Sequence, residues 1–310
     1  GSRDYFQIKK NKLVFEIIPV IKVSKPSQAR NITDLSYFHV SYVLNKLRKN
    51  PSLAHEIMLA KSFCHGQGVY GAESYISGFS GYALELLVIY YKNFMNFLKI
   101  TSKQQQIVLD PEKFYKNKQE VLESLNEAKL SSPIVFIDPT NKNRNALAAL
   151  SNQAFLKFQI AARSFIKKPG LSYFQAKKIN EKDYNLILTA RTNRQEGDIA
   201  GSKLKKFFGF VSMNLEKSFS IERKAFEYDD EKEARFYFKI KPRTQVIVSG
   251  PPVSMTDCLE DFKQKHENTF IKKNRIYARE KISLSSKEFL REFKLKNKKI
   301  IESMGITGVD

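Results

Sequence analysis

The chain has 310 residues, of which 42% are hydrophobic and 27% charged, so it is long enough for two or three domains with a sizeable core. Lys and Arg outnumber Asp and Glu by 53 to 32, and the net charge of +21 favours a polyanionic partner such as nucleic acid, with solvated lysine-rich helices as the alternative explanation. Two widely separated cysteines fit neither a metal site nor a disulfide, and no apolar run reaches the ~18 residues of a membrane span, so we expect a cytoplasmic protein with no membrane partner.

The first predicted element is a hydrophobic strand over residues 12–23, with Glu16 in its middle and Pro19 three residues after Glu16. No strand is predicted before this one. Because a single strand cannot bury both of its faces, we expect the rest of its sheet to come from elsewhere in this chain or from another chain.

From about residue 35 to residue 98 the apolar residues recur at helical spacing. Two glycine-punctuated turns, at residues 68–71 and 78–81, flank a short apolar strand within this segment. Glycine permits backbone conformations that other residues avoid, so these turns can hold the chain close to a ligand. A strongly apolar helix over residues 84–98 follows the second turn.

The next segment combines helices with one buried strand. An amphipathic, charged helix is predicted over residues 111–129, and a buried strand over residues 133–139 closes in an Asp-Pro turn. A turn rich in Asn and Lys then carries Arg144, and a long helix is predicted over residues 146–166.

Beyond Pro169-Gly170 strands and helices are mixed, as is typical of a small α+β domain with an antiparallel sheet. The last stretch, from about residue 283, is predicted to be a Lys-rich helix with a short tail. The strands predicted before it lie at residues 184–189, 219–228, 235–240 and 244–248, and the helices at residues 201–213 and 257–266.

Motifs in the helical part resemble those of one known family. These motifs are Gly68-Val69-Tyr70-Gly71, Gly78-Phe79-Ser80-Gly81-Tyr82 with Glu85-Leu86-Leu87 after it, Asp138-Pro139 and Arg144-Asn145. With them, the chain resembles the archaeal, class I CCA-adding enzyme, which adds or repairs the 3′-terminal CCA of tRNA from CTP and ATP without a nucleic-acid template. The resemblance is strong over about residues 16–170 and weaker beyond.

The resemblance implies an α+β multidomain fold in four parts. Residues 1–34 correspond to the C-terminal strand of a polymerase-β-like palm, and residues 35–168 to a helical, nucleotide-binding central domain. Residues 169–282 correspond to a small α+β domain with an antiparallel sheet that binds tRNA, and residues 283–310 to a C-terminal basic helix and tail.

The same resemblance implies a two-metal site with Mg²⁺ held by three carboxylates. The first two carboxylates come as Asp/Glu-x-Asp after a Gly-Ser loop, and no such acidic pair stands on an apolar strand of this chain. Glu16 stands three residues before Pro19, in the register of the third, catalytic carboxylate, although the family has Asp there. The alternative explanation is an ordinary edge-strand Glu that faces water.

Four further residues match nucleotide-binding positions of the family. His39, Lys61 and Tyr70 correspond to the residues that hold the triphosphate, and their side chains suit phosphate oxygens. Taken alone, His39 could cap a helix, Lys61 could be solvated and Tyr70 could belong to the core. Arg144 corresponds to the residue that selects the base, with a cap or ion pair of the following helix as its alternative role. Where Ser77 stands, the family commonly has a basic residue.

Three interpretations of the missing acidic pair remain open. The chain is one subunit of a split enzyme, an experimental truncation, or a non-catalytic tRNA-binding module derived from the family. We favour the split enzyme, because a non-catalytic relative has little reason to keep His39, Lys61, Tyr70 and Arg144 together. The expected partners are tRNA, CTP, ATP and a polypeptide that carries the Gly-Ser loop. A related poly(A)-polymerase-like activity also remains open, since nucleotide choice depends on the shape of the pocket.

Overall fold

The computed structural model describes residues 6–11, 13–30, 33–229, 231–281 and 284–310. The chain divides into two compact units, a first unit that ends at Lys178 and a second unit that begins at Ile179. Helices dominate the first unit and antiparallel sheets the second, so the predicted α+β multidomain class is confirmed. None of the helices in the described residues combines the length and the apolar character needed to cross a membrane.

The first unit opens with a β-hairpin of β1 (Phe6–Lys10) and β2 (Leu13–Ile17). The prediction that no strand precedes residues 12–23 was therefore wrong, and the strand itself is shorter than predicted. Lys10 pairs with Leu13 at the end of the hairpin, and Asn11, which follows β1, has a φ of 52°. Asn tolerates this left-handed conformation better than most residues, which makes it a common turn residue in short hairpins.

One face of this hairpin is apolar and exposed. The register places five large side chains on the same face, because alternate residues of paired strands point to the same side. Between 49% and 67% of each is exposed. These five are Phe6, Ile8, Leu13, Phe15 and Ile17. Glu16 lies between two of them in sequence, so it belongs to the opposite face of the hairpin.

Among the described residues, the first unit continues with seven α-helices and a short sheet. Phe63 is fully buried in their core among aromatic rings such as Phe158 and Phe165. The predicted helix over residues 84–98 is broken by Lys92, whose φ is 74°. The seven are α1 (Ser36–Lys49), α2 (Leu53–Gly66), α3 (Gly81–Tyr91), α4 (Phe94–Thr101), α5 (Lys118–Ser124), α6 (Glu127–Leu130) and α7 (Asn152–Lys167).

The short sheet consists of β3 (Ile107–Leu109), β4 (Ile134–Asp138) and β5 (Asn141–Asn145). β3 runs parallel to β4, and β5 returns antiparallel to it. The Asn- and Lys-rich segment that was predicted as a turn is therefore strand β5. The side chain of Asn145 accepts hydrogen bonds from the backbone N–H of Phe136 at 3.0 Å and of Leu147 at 2.9 Å, which fixes the end of β5 in the core.

The predicted helices on either side of this sheet start and end elsewhere. The segment 111–129 is divided between α5 and α6, with Asn126 capping the second through its side chain. The helix predicted from residue 146 begins only at Asn152, after a turn and the cap residue Ser151, whose Oγ accepts from the N–H of Ala154 at 3.2 Å.

The second unit contains a four-stranded sheet and a three-stranded sheet. In the larger sheet the order is β12-β6-β8-β7, and its core includes Phe207, Phe236, Phe289 and Phe293. The last helices therefore pack into this core. The elements are β6 (Leu186–Thr192), α8 (Asp198–Ser218), β7 (Phe219–Tyr228), β8 (Glu233–Pro242), α10 (Ser286–Lys296), α11 (Lys298–Ser303) and β12 (Ile306–Val309).

Between β8 and α10 the chain forms the three-stranded sheet, in the order β10-β11-β9. Helix α9 packs against it, because a side chain at Gly250 would meet Phe262 of that helix. Gln245 at the start of β9 lies opposite Lys281 at the end of β11. The elements are β9 (Gln245–Pro252), α9 (Thr256–Lys265), β10 (Thr269–Lys272) and β11 (Arg275–Lys281).

Candidate functional site

The two glycine turns are held together beside the start of α3. Tyr70 and Phe79 form a parallel bridge. The N–H of Gly71 donates to the Phe79 carbonyl, the N–H of Gly78 to the Gly71 carbonyl and the N–H of Phe79 to the Val69 carbonyl, each at 2.8 Å. These bonds close the loop on itself and fix Tyr70 beside the first turn of α3.

Two of the glycines are required by this geometry. Gly71 has a φ of +125°, which L side chains rarely adopt. A Cβ at Gly78 would overlap the carbonyl group of Val69. Any side chain at Gly78 would therefore separate the two turns and move Tyr70.

Lys61 and Tyr70 meet at the N-terminus of α3. A Cβ placed on Gly81 would lie 3.1 Å from Tyr70 Oη and 3.8 Å from Lys61 Nζ, so both polar atoms stand over the first residue of the helix. Lys61 Nζ also donates to Glu85 Oε1 at 2.6 Å. A helix N-terminus attracts anions, and an ammonium and a hydroxyl add further donors there.

A second group of polar side chains surrounds Asp138, which is fully buried at the end of β4. Its Oδ2 receives a hydrogen bond from Arg144 Nη1 and lies 3.2 Å from His39 Nε2. Its Oδ1 accepts from the Thr140 N–H at 2.8 Å, the Thr140 hydroxyl at 2.7 Å and the Tyr82 hydroxyl at 3.2 Å. Both carboxylate oxygens are thus fully used.

This environment sets the charge of Asp138. Burial alone raises the pKa of its carboxyl. Hydrogen bonds from His39 and Thr140 and the positive charge of Arg144 outweigh burial, and they lower the pKa well below its ordinary value. Burial and the neighbouring Asp138 carboxylate also raise the pKa of Tyr82, so that its hydroxyl remains a neutral donor.

The two groups contact consecutive residues in the first turn of α3, because Lys61 and Tyr70 stand over Gly81 and the His39 ring stacks on Tyr82. The four predicted nucleotide-binding residues therefore reach the first turn of α3 as two pairs, Lys61 with Tyr70 and His39 with Arg144. His39 stands with Arg144 and not with Lys61 and Tyr70. Its ring stacks on Tyr82, and its Nε2 lies 3.4 Å from Arg144 Nη1.

Three further residues of the site were not identified in the sequence as functional. Asp138 was interpreted only as part of a turn, while Tyr82 and Glu85 were only part of a motif string. The sequence does indicate a place in the site for Glu85, because it stands four residues after Gly81 and hence on the same helix face. For Asp138 no local pattern indicates that five donors converge on it.

Glu16 lies on β2, and its backbone pairs with Gln7 across the hairpin. Within the described ranges, no group of three or more His, Cys, Asp or Glu side chains is arranged as a metal site. One carboxylate does not suffice for a pair of divalent ions, since each hard cation needs several oxygen ligands. The described residues therefore do not fit a complete two-metal site.

A family model and several known proteins match this chain over most residues of the site. The family model for the second domain of tRNA nucleotidyltransferase matches residues 55–175, which include Lys61, Tyr70, Asp138 and Arg144. The chain is 35% identical over 286 residues to the CCA-adding enzyme of Nanoarchaeum equitans (strain Kin4-M), covering 90% of this chain and 70% of that protein.

Two other relatives are similar to this chain over nearly the same length. The CCA-adding enzyme of Saccharolobus islandicus (strain M.14.25 / Kamchatka #1) is 30% identical over 286 residues, which are 90% of this chain and 66% of the relative. That of Pyrobaculum aerophilum is 31% identical over 281 residues, which are 86% of this chain and 62% of the relative. The chain thus spans roughly two thirds of the length of these proteins.

Proposed function

Because this chain belongs to the archaeal CCA-adding enzyme family of tRNA nucleotidyltransferases, we propose that it binds CTP, ATP and tRNA and acts in adding or repairing the 3′-terminal CCA of tRNA without a template. The observation that carries the proposal is the meeting of His39, Lys61, Tyr70 and Arg144 around the first turn of α3. These residues come from four separate parts of the chain, and each is suited to one part of a nucleotide.

Lys61 and Tyr70 are the triphosphate-binding part of the proposed site. Their polar atoms stand over Gly81, where backbone N–H groups of the helix N-terminus are also available. The Glu85 carboxylate holds the Lys61 ammonium at this place before a nucleotide binds. His39, whose ring stacks on Tyr82 in the same turn, is the third residue of this part.

Arg144 is the base-selecting part. A guanidinium presents donors only, in a rigid fork. The pairing edges of C and A offer ring-nitrogen acceptors, whereas those of U and G present a ring N–H. A donor-only contact therefore accepts C and A and disfavours U and G.

The chemistry needs two further carboxylates, which we propose a separate polypeptide supplies. Mg²⁺ ions would bind between that polypeptide and Glu16, and they would activate the 3′-hydroxyl of tRNA and stabilise the departing pyrophosphate. Since the described residues do not complete such a site, no step of the transfer is assigned to this chain alone.

The exposed hairpin face supports a protein partner at this place. Burying large apolar side chains contributes about 1.5–3 kcal/mol each, and a two-stranded hairpin is marginal alone. The face with Phe15 and Ile17 is exposed, while Glu16 belongs to the other face. A partner that covers the apolar face would bind the same hairpin that carries Glu16.

The second unit supports tRNA binding. Arg279 lies over the ring of Phe270 at 5.1 Å, and Phe270 stacks on Tyr277 at 5.6 Å, so one part of the small sheet combines aromatic and basic side chains. Such surfaces suit RNA bases and phosphates. The Lys and Arg residues within 219–240 and 263–299 extend the basic character.

The test is incorporation of CTP and ATP into tRNA that lacks its CCA, by the chain alone and with a candidate polypeptide carrying the Gly-Ser loop and Asp/Glu-x-Asp. We expect incorporation only with both. Substantial activity of the chain alone would contradict the split site. The variant Phe15→Ser should weaken association with the partner, whereas Leu171→Ser, at a residue that is 81% exposed elsewhere in the first unit, should not.

The second candidate is a non-catalytic tRNA-binding module, favoured by the lack of a three-carboxylate cluster among the described residues. It predicts tRNA affinity that falls steeply with salt. It also predicts that CTP changes no property of the chain. Failure to incorporate nucleotides with every partner, together with intact tRNA binding, would favour this module.

A further inference from the structure

We infer that Asp138 is a positioning residue that holds the Arg144 guanidinium in the orientation needed to discriminate between bases. The inference rests on the proposed function, because it concerns how the same site selects its nucleotide. It assigns to a buried carboxylate, which itself touches no nucleotide, a part in specificity. Three observations carry it: the fixed orientation of Asp138, the way Arg144 is held and the donors that remain on Arg144.

The orientation of Asp138 is fixed by the unequal use of its two oxygens. Oδ1 accepts from the Thr140 N–H, the Thr140 hydroxyl and the Tyr82 hydroxyl, at 2.8, 2.7 and 3.2 Å. Those three bonds leave Oδ2 directed at Arg144 and His39. With no exposure to solvent, the carboxylate cannot exchange these partners for water.

Arg144 is held by hydrogen bonding at one corner of its fork and by contact with an aromatic ring. Nη1 donates to Asp138 Oδ2 and contacts His39 Nε2 at 3.4 Å. Within the described part of the chain, Nε and Nη2 of Arg144 have no hydrogen-bond partner, and 24% of the side chain is exposed. The Cζ of Arg144 also lies over the Tyr82 ring, 5.8 Å from its centroid. The bond to Asp138 and the contact with this ring together restrain the plane of the guanidinium, and the remaining donors are available for a base edge.

A purely structural role for Asp138 is the alternative to this inference. Asp138 closes the connection between β4 and β5, where the strand register shifts, and its bonds to Thr140 stabilise that turn. The structural role predicts lower stability for any change at Asp138 but no change in which base is preferred. The two roles are therefore separated by selectivity and not by stability.

The experiment measures equilibrium binding of CTP, ATP, UTP, GTP and inorganic tripolyphosphate to the 310-residue chain and to Asp138→Asn. The amide keeps the shape of the side chain but loses the negative charge that holds Arg144. We expect the preference for CTP and ATP over UTP and GTP to fall by about 10-fold or more, since charge-assisted hydrogen bonds are the strong ones. Tripolyphosphate, which has no base, should bind Asp138→Asn as it binds the wild type.

Asp110→Asn is the matched control. Asp110 also lies in the first unit, and its Oδ2 accepts from the Tyr115 N–H at 2.8 Å, but it does not touch Arg144. This variant should keep the base preference of the wild type. In an Arg144→Ala background, Asp138→Asn should have no further effect on base preference, because a positioning residue acts only through the group it positions.

The outcomes are distinguishable. Unchanged base preference in folded Asp138→Asn overturns the inference and leaves the proposed function intact. A wild-type chain that binds none of the four nucleotides overturns both. If Asp138→Asn does not fold, Thr140→Val replaces it, since it removes one bond to Oδ1 and keeps the charge. It should reduce the preference about 3-fold; no reduction overturns the inference.

Discussion

The imidazole of His39 and the phenol ring of Tyr82 stack with their centroids 4.2 Å apart and their planes inclined by 25°. His39 belongs to α1 and Tyr82 to the first turn of α3. The contact ties one predicted nucleotide-binding residue to the turn over which Lys61 and Tyr70 stand. A displacement of this turn would therefore reach all four residues of the proposed site.

Replacing Arg144 should change base selection and leave tRNA binding intact. In Arg144→Ala the donor fork is lost, and we expect discrimination between C or A and U or G to fall by about 10-fold or more. Arg144→Lys should behave similarly, because an ammonium keeps the charge but has no planar fork. The measurement is single-nucleotide binding or incorporation with each of the four nucleotides. Unchanged selectivity in both variants would show that Arg144 has a structural role and does not select the base.

Replacing Lys61 should weaken the binding of all nucleotides equally. In Lys61→Met we expect affinity for CTP, ATP and tripolyphosphate to fall by about 10-fold each, because charge-assisted hydrogen bonds to phosphate are lost. Lys46→Met is the control, since Lys46 pairs with Glu112 at 3.6 Å on the surface of α1. A loss restricted to one base, or an equal loss in the control, would contradict a phosphate-binding role.

Asp138 makes the first unit sensitive to acid. The Asp138 carboxyl has a lower pKa in the folded state than its unfolded value of about 4. The charged carboxylate therefore stabilises the fold at pH values above about 4, and this stability is lost as the pH falls from about 4 through the folded pKa. Asp138→Asn lacks this contribution at every pH. The difference in urea midpoint between wild type and variant should therefore shrink below about pH 5. A difference that stays constant down to about pH 3 would contradict the lowered pKa.

Gly66 should not accept a side chain. A Cβ there would lie 2.5 Å from the Tyr173 carbonyl oxygen and 2.6 Å from the Phe174 carbonyl carbon, and both are backbone atoms that cannot turn aside. We expect Gly66→Ala to lower the free energy of unfolding by about 1–3 kcal/mol through overpacking. Gly170→Ala, whose Cβ would meet only Ser172 Oγ at 3.9 Å, should change it by less than about 0.5 kcal/mol. Equal midpoints for the two variants in denaturant would contradict this close approach.

The residues of the site were predictable where the signal is local. The glycine turns around Tyr70 and the helix after Gly81 follow from residue types at short spacing, and the structure contains both. The pairing of His39 with Arg144 was not predictable, because 105 residues separate them and only the tertiary packing of the first unit, with α1 against α3, brings them together. The same holds for Asp138, whose burial no local pattern reveals.

The fold shows where local composition misleads. Residues 141–145 have the polar composition of a turn, yet pairing with the buried strand β4 makes them strand β5. The apolar run at residues 84–98 predicts one helix, but Lys92 and the side-chain cap of Asn93 divide it in two. β12 pairs with β6 from the far end of the second unit, and a contact so distant in sequence leaves no periodic trace.

The small sheet of the second unit has a consequence for engineering. Gln245 and Lys281 face each other, so the chain enters and leaves that sheet at neighbouring points. Residues 246–280 therefore form a cassette that a tight turn can replace without cutting the aromatic core beneath α8. Exchange of this cassette between relatives would therefore leave the four-stranded sheet and its core in place.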